Sequence, residues 1–328
     1  MNKLEELKKI IDSLNNFAIV SHTSPDGDSM GSILSLYNLL IDLNKNVDVF
    51  VEGQAPYKFS YLSGFYNIKN ISQSNSRYDC LFVLDCGDED RLGECKDLLN
   101  RTDIIINIDH HITNNSFGNI NIIDAKASSV GEILFELYKN LNYKITKEIA
   151  ECLYTSIVSD TGGFKFSNTS SKTMRIVADL IDTGINFTNI YYRIMDLKTL
   201  NGIKLISKVT STLKIYLDGK VATMKLTKQM LEECQTKEDE AGELVNIVRD
   251  IESVEVGILI KEVDIDTYKI SFRSKDYFDV KDIALKYGGG GHIKAAGCTI
   301  KNKSIDEIEK ELIDEIKKAW VKYNEWNN

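Results

Sequence analysis

The spacing of apolar residues changes partway along this chain and divides it in two. In the first half, Leu4–Leu14, Ser29–Leu43, Ser129–Asn140, Lys147–Ser159 and Ser170–Thr183 carry the three-to-four-residue spacing of helices that bury one face. Between them lie compact apolar runs of strand length: Phe17–Val20, Val47–Val51, Cys80–Leu84 and Ile104–Ile108. Such runs are strands buried on both faces. Strands alternating with helices predict an α/β fold, a parallel sheet with helices on both faces. Gly184–Asp196 reads as a connector with its own short helix. From Ile203 onward strand-like runs dominate, at Val209–Tyr216, Val221–Leu226, Val254–Val263 and Tyr268–Arg273, with helices at Asp279–Lys286 and Ser304–Trp320. The expected boundaries are residues 1–186 for the parallel-sheet domain, 187–202 for a helical connector and 203–328 for a smaller α+β domain across a cleft.

Composition narrows the class. The chain has 328 residues, 43% hydrophobic, with net charge −9 and pI about 5.2. It is long enough for two cores of ordinary size. An acidic protein lacks the many phosphate contacts that hold long duplex nucleic acid, so no such partner is expected. A small anionic substrate stays open, because bound metal ions supply positive charge locally. The six cysteines, Cys80, Cys86, Cys95, Cys152, Cys234 and Cys298, form no CxxC pair and read as buried free thiols. The first 14 residues read as a charged amphipathic helix and not a signal peptide. No apolar stretch reaches the roughly 20 residues of a membrane span. A cytoplasmic location with no membrane partner is expected.

Catalytic groups of open parallel sheets gather at the carboxyl ends of strands. After Phe17–Val20 come His22, Asp26 and Asp28; after Cys80–Leu84 comes Asp85; after Ile104–Ile108 come Asp109, His110 and His111. Asp160 ends a predicted helix beside Gly162 and Gly163, where its charge opposes the helix dipole. Pro25-Asp26-Gly27-Asp28 alone would be turn chemistry. All four histidines of the chain, however, fall in acid-rich or glycine-rich segments. Imidazole mixed with carboxylate suits a divalent transition ion such as Mn²⁺. The ligands are too many for one ion and fit a pair bridged by a carboxylate. In the second half, Gly288–Gly291 lets backbone N–H groups approach an anion, His292 follows, and Arg273 ends a strand where it could fork onto a phosphate.

In order, His22 to Ser32, Asp85, Asp109-His110-His111 and Asp160-Thr161-Gly162 resemble the four motifs of the DHH phosphoesterase family. Gly288–His292 with Ala295-Ala296-Gly297 resembles the signature of its associated C-terminal domain. The order and length are most similar to the nanoRNase and pAp-phosphatase branch, which includes cyclic-di-AMP phosphodiesterases. The resemblance implies that His22, Asp26 and Asp85 hold one ion, and that Asp28, Asp85, His110 and Asp160 hold the other. It implies Mn²⁺ as the usual metal, with Mg²⁺ or Co²⁺ as alternatives. The bridging Asp85 is then catalytic, Asp109 orients a neighbouring imidazole, and His111 faces the substrate phosphate. Arg273, Gly289, Gly290, Gly291 and His292 bind substrate, a nucleotide or very short oligonucleotide. The roles of Arg91 and Asn114 stay open, as does a homodimer. Rival readings are a manganese inorganic pyrophosphatase, which usually lacks the glycine-histidine signature, a RecJ-like exonuclease, normally a longer chain, and a non-catalytic nucleotide sensor, which would lack a ligand.

Overall fold

The computed structural model describes residues 3–237 and 244–326. The chain divides into two compact units, Met1–Leu197 and Lys198–Asn328. In the first, β1 (Asn16–Val20), β2 (Asn46–Val51), β3 (Ile68–Asn70), β4 (Tyr78–Leu84), β5 (Thr102–Asp109) and β6 (Ile120–Ile123) form one sheet in the order β3-β2-β1-β4-β5-β6. Every pairing is parallel. The order reverses between β1 and β4, which creates a crevice at their carboxyl ends.

Alternation along β1 builds both cores. Phe17 and Ile19 join the cluster made with α1 (Lys3–Ser13), α2 (Gly27–Asp42), α3 (Val130–Asn140), α4 (Lys147–Asp160) and α5 (Ser171–Asp182). Ala18 and Val20 join the opposite cluster, with Leu92, Cys95 and Leu98. That second face is covered by 3₁₀ turns over Glu89–Arg101, interrupted at Gly93 where φ is +54°, and not by a regular α-helix. The short edge strands β3 and β6 carry too few residues to show a period in the sequence.

Two glycines set how closely α2 approaches α4. A Cβ at Gly31 would lie 2.5 Å from the Cys152 carbonyl oxygen, and one at Gly27 would lie 2.2 Å from Ser159 Oγ. Only glycine permits that approach, which brings Asp28 on α2 toward the end of α4 at Asp160.

After α6 (Phe187–Tyr191) and one π-helical turn, Tyr192–Asp196, the second unit begins. It contains α7 (Leu200–Thr210), β7 (Lys214–Tyr216), β8 (Val221–Leu226), α8 (Lys228–Cys234), α9 (Leu244–Arg249), β9 (Val256–Asp264), β10 (Thr267–Ser274), α10 (Lys281–Lys286), β11 (Gly290–His292), β12 (Ala295–Lys301) and α11 (Ile305–Trp326). Its sheet order is β11-β12-β10-β9-β8-β7, with only β8 and β9 parallel. The expected strand Val209–Tyr216 is corrected here. Thr199 caps α7 through the Gly202 N–H at 2.9 Å, and the helix buries Leu205 and Val209, four residues apart. Only Lys214–Tyr216 is extended. All six cysteines are free and buried. Among the described residues, no helix is long and apolar enough to cross a membrane.

Candidate metal centre

The loop after β1 and the start of α2 deliver the first candidate ligands. Asp26 is the N-cap of α2, and its Oδ1 accepts from the N–H groups of Asp28 at 3.0 Å and Ser29 at 3.1 Å. His22 Nδ1 lies 2.6 Å from the Thr23 carbonyl oxygen. A carbonyl can only accept, so Nδ1 carries the proton and Nε2 presents a lone pair. That lone pair is 3.4 Å from Asp85 Oδ2, and Ser29 Oγ sits between them, 2.9 Å from Nε2 and 2.7 Å from Oδ2. One hydroxyl proton cannot serve both acceptors.

Asp85 follows the last residue of β4 with φ +55°, a backbone region that a non-glycine residue occupies at a cost of about 1–3 kcal/mol and typically at functional sites. It is buried, and its pKa is raised well above the ordinary value by burial first and then by Asp28 and Asp26. Asp28, also buried, accepts from Ser156 Oγ at 2.5 Å, Val130 N at 2.9 Å and Ser32 Oγ at 3.0 Å. Burial raises its pKa despite His110 and these donors.

His110 joins the two halves. Its Nδ1 lies 3.3 Å from the Ala127 carbonyl oxygen, which fixes Nε2 as the inward nitrogen. Nε2 lies 3.5 Å from Asp160 Oδ2, 3.6 Å from Asp28 Oδ2 and 3.8 Å from Asp85 Oδ1. Burial alone would lower its pKa, but the three carboxylates outweigh that and raise it. Asp160, at the end of α4, is pushed up to about 7 by burial and then by Asp28. Among the described residues, the ion-pair partners of Asp28, Asp85 and Asp160 are imidazoles alone. Lone pairs facing lone pairs, with no lysine or arginine between them, are a donor set that fits cations. Three groups have ligand atoms all within 4.8 Å of one another: His22-Asp26-Asp85, Asp28-His110-Asp160 and Asp85-His110-His111. Asp85 belongs to two of them.

Asp109, the fully buried end of β5, accepts from the His110 N–H at 2.8 Å and faces His111 Nδ1 at 2.7 Å. Its other oxygen accepts from Asn114 Nδ2 at 2.6 Å. Asn114 also donates to Asn107 Oδ1 at 2.8 Å, and Asn107 donates to the carbonyls of Val83 and Cys86. Burial would raise the Asp109 pKa; the bonds from His111 and Asn114 outweigh it and hold it low. The bond to Asp109 raises the pKa of His111 in return. Sequence reasoning missed Ser29, Ser156 and Asn107. Their available signal is polarity in otherwise buried apolar elements: Ser156 lies one helical turn before Asp160, and Asn107 interrupts the apolar run of β5. Arg91 is exposed, and its carbonyl accepts from Thr23 N at 2.7 Å.

In the second unit, Arg273, Ala295 and His292 pair across β10, β12 and β11 in one row. Gly289 and Gly291 are required by that hairpin itself: a Cβ would lie 2.2 Å from the Gly297 carbonyl oxygen and 2.5 Å from that of Ala295, respectively. At Gly290 a Cβ would meet nothing within 4 Å. The same holds at Gly288, where φ is +69°, so the space around this cluster lies at Gly288 and Gly290.

Residues 16–157 match the model of the DHH family, N-terminal domain, and residues 218–319 match the DHHA1 domain. The chain is 28% identical to the bifunctional oligoribonuclease and PAP phosphatase NrnA of Thermus thermophilus, covering 91% of this chain and 88% of the relative. It is also 28% identical to the NrnA of Bacillus subtilis, covering 94% and 96%. A crystal structure of an exopolyphosphatase-related protein from Bacteroides fragilis superposes with a TM-score of 0.88 at 28% identity, covering 97% of each chain. Two domain matches in order, end-to-end relatives and ligand groups at the sheet's crevice agree: the chain belongs to the DHH phosphoesterase family, in its nanoRNase branch.

Proposed function

We propose that this phosphoesterase uses two divalent ions, Mn²⁺ by preference, to hydrolyse short oligonucleotides such as pApA to mononucleotides and pAp to AMP. The observation that carries the reading is Asp85. It is buried, left-handed at a strand end, and shared between His22-Asp26 on one side and His110 on the other. His22, Asp26 and Asp85 would hold one ion, and Asp28, Asp85, His110 and Asp160 the other. When bound, such a pair supplies charge neutralisation at the phosphoryl oxygens and a water of lowered pKa.

The chain's own residues do the positioning. Ser29 holds Asp85 Oδ2, while the Val130 N–H, Ser32 and Ser156 hold Asp28, so both carboxylates are aimed before substrate arrives. His111 donates its Nδ1–H to Asp109 Oδ1, and that carboxylate favours the protonated ring, in which Nε2–H is a donor to the ester's developing charge. Arg273, His292 and the backbone at Gly289, Gly290 and Gly291 bind the substrate's other phosphate and base. The names of the curated relatives, which cover both oligoribonuclease and PAP phosphatase, support this pair of substrates. The DHHA1 match favours it over an inorganic pyrophosphatase.

The test is a substrate panel with Mn²⁺: pAp, pApA, 5′-phosphorylated RNA and DNA of increasing length, cyclic-di-AMP and pyrophosphate. Release of AMP from pAp and pApA is the expected result. Turnover of pyrophosphate alone would reject the reading.

A further inference from the structure

The three ligands that only the second ion would take come from separate elements: Asp28 from α2, His110 from the residue after β5 and Asp160 from the end of α4. One turn, residues 127–131 at the start of α3, faces two of them through its backbone. The Ala127 carbonyl oxygen lies 3.3 Å from His110 Nδ1. Val130 donates its N–H to Asp28 Oδ2 at 2.9 Å. Gly131 donates its N–H to Ser156 Oγ at 2.9 Å, and that hydroxyl donates to Asp28 Oδ1 at 2.5 Å. The spacing of Asp28 and His110 therefore depends on where this turn sits.

Ser128, inside the turn, is fully buried and held at each polar atom. Its Oγ donates to Glu132 Oε2 at 2.7 Å, and its N–H reaches the same oxygen at 3.4 Å. Glu132 is buried too, and Thr173 of α5 donates to that oxygen at 2.8 Å. The Ser128 carbonyl oxygen accepts from Asn168 Nδ2 at 3.0 Å, and the same Nδ2 donates to the Asp160 carbonyl oxygen at 3.1 Å. Both partners are carbonyls, which only accept, so the amide nitrogen must face them. The chain after Asp160 is bent to bring Asn168 back. Gly162, Gly163 and Phe164 take φ of +56°, +67° and +69° in succession, and the N–H groups of Lys165 and Phe166 both return to the Thr161 carbonyl oxygen at 3.0 Å. A non-glycine residue such as Phe164 keeps a left-handed backbone only where its surroundings hold it there. Asn168 thus ties the third ligand to the turn that faces the other two.

We propose that Asn168 and Glu132 are positioning residues for the second ion alone: through Ser128 they hold Asp28, His110 and Asp160 at one spacing before that ion arrives. The first ion does not depend on them. His22 is oriented by the Thr23 carbonyl and Asp26 by the N–H groups of Asp28 and Ser29, all within one loop and helix start. Glu132 itself belongs to none of the groups whose ligand atoms converge among the described residues. Supports of this kind set ligand geometry and through it metal affinity. The proposal rests on the two-ion reading above and adds that the two affinities are set by separate parts of the fold.

The experiment is calorimetric titration of the full-length, chelator-treated protein with Mn²⁺, paired with anomalous peak heights from crystals at limiting Mn²⁺ to show which ion each constant belongs to. Wild type, Asn168→Leu, Glu132→Met and Glu132→Gln are compared. Leucine keeps the branched shape of asparagine without its donor, and methionine keeps the length of glutamate without its acceptor. Asn168→Leu and Glu132→Met should each raise the dissociation constant of the ion beside Asp28, His110 and Asp160 by ~10–100-fold, with that of the ion beside His22 and Asp26 within about threefold of wild type. Turnover lost at low Mn²⁺ should return when Mn²⁺ is raised by the same factor. Glu132→Gln, which retains an acceptor oxygen for Ser128 and Thr173, should stay within about threefold of wild type for both ions. Equal weakening of the two ions, or lowered melting temperature with both constants unchanged, would overturn the positioning role and leave the two-ion reading intact. Failure of the wild type to bind a pair of ions at these residues would instead overturn the reading on which it rests.

Discussion

Both units bury carboxylates, and they satisfy them in opposite ways. In the second unit, Glu309 on α11 accepts from Lys214 and Lys225, both at 2.8 Å, and from Thr223 at 2.6 Å. Burial would raise its pKa, but these donors overcome it and hold it at about 2. Glu255 is closed by backbone N–H groups of Asp276, Tyr277 and Phe278 at 2.8–3.1 Å. In the first unit, Asp28, Asp85 and Asp160 face one another and three imidazoles, those of His22, His110 and His111, and their pKa values move upward. The protein supplies lysines or converging backbone N–H groups to Glu309 and Glu255 and no lysine or arginine, among the described residues, to the three clustered aspartates. Burial alone does not mark a functional carboxylate; a buried cluster of carboxylates whose pKa values move upward does.

The contrast can be broken at either end. The largest effect is expected from Asp85→Ala, which removes the shared ligand. Metal-replete turnover should fall by about 10³-fold or more, as several kcal/mol of charge stabilisation are lost. Circular dichroism should show an intact fold, and the metal-free variant should melt no lower than metal-free wild type, since an unfavourable buried charge is gone. Glu309→Ala should do the reverse: lose ~1–3 kcal/mol of stability to denaturant, because Thr223 Oγ1 is left buried without an acceptor and Lys225 keeps only the exposed Asp306, while turnover per folded molecule is unchanged. A smaller effect is expected at Asn114. Asn114→Ala frees Asp109 Oδ2 and loosens His111, so kcat should fall by ~10–100-fold with little change in Mn²⁺ stoichiometry.

The smallest effect is on pH dependence. Raised folded-state pKa values at Asp28, Asp85 and Asp160 mean the folded metal-free protein holds more protons than the unfolded chain above pH ~4. Raised values at His110 and His111 act in the same direction above pH ~6.5. Stability from these groups is therefore present at low pH and lost as pH rises, through about 7 for Asp160. Melting of chelator-treated protein should fall between pH 5 and 8, and Mn²⁺ should flatten or reverse that slope. A metal-free slope of the opposite sign would show that the carboxylates are compensated by groups other than His110 and His111.

The first unit was legible because its strands are uninterrupted apolar runs, and a polar residue at the end of each stands out. His22, Asp85 and Asp109 are visible for that reason, and the structure gathers them with Asp26, Asp28, His110, His111 and Asp160. The supporting groups were not legible. Ser29, Ser156 and Asn107 work through pairings across 56, 128 and 21 residues of chain, which no local period reveals. In the second unit, β-branched and aromatic residues made Val209–Tyr216 resemble a strand, while the four-residue spacing of Leu205 and Val209 decided for a helix. The glycine cluster was visible as composition, but its division into two positions required by the hairpin, Gly289 and Gly291, and two with open space, Gly288 and Gly290, depends on the fold around the β11–β12 register.

The most direct test is anomalous diffraction from crystals grown with Mn²⁺. The account predicts two manganese peaks sharing Asp85, one beside His22 and Asp26 and one beside Asp28, His110 and Asp160. A fully soaked crystal with no peak against Asp85, or with manganese bound only at surface acids, would contradict it.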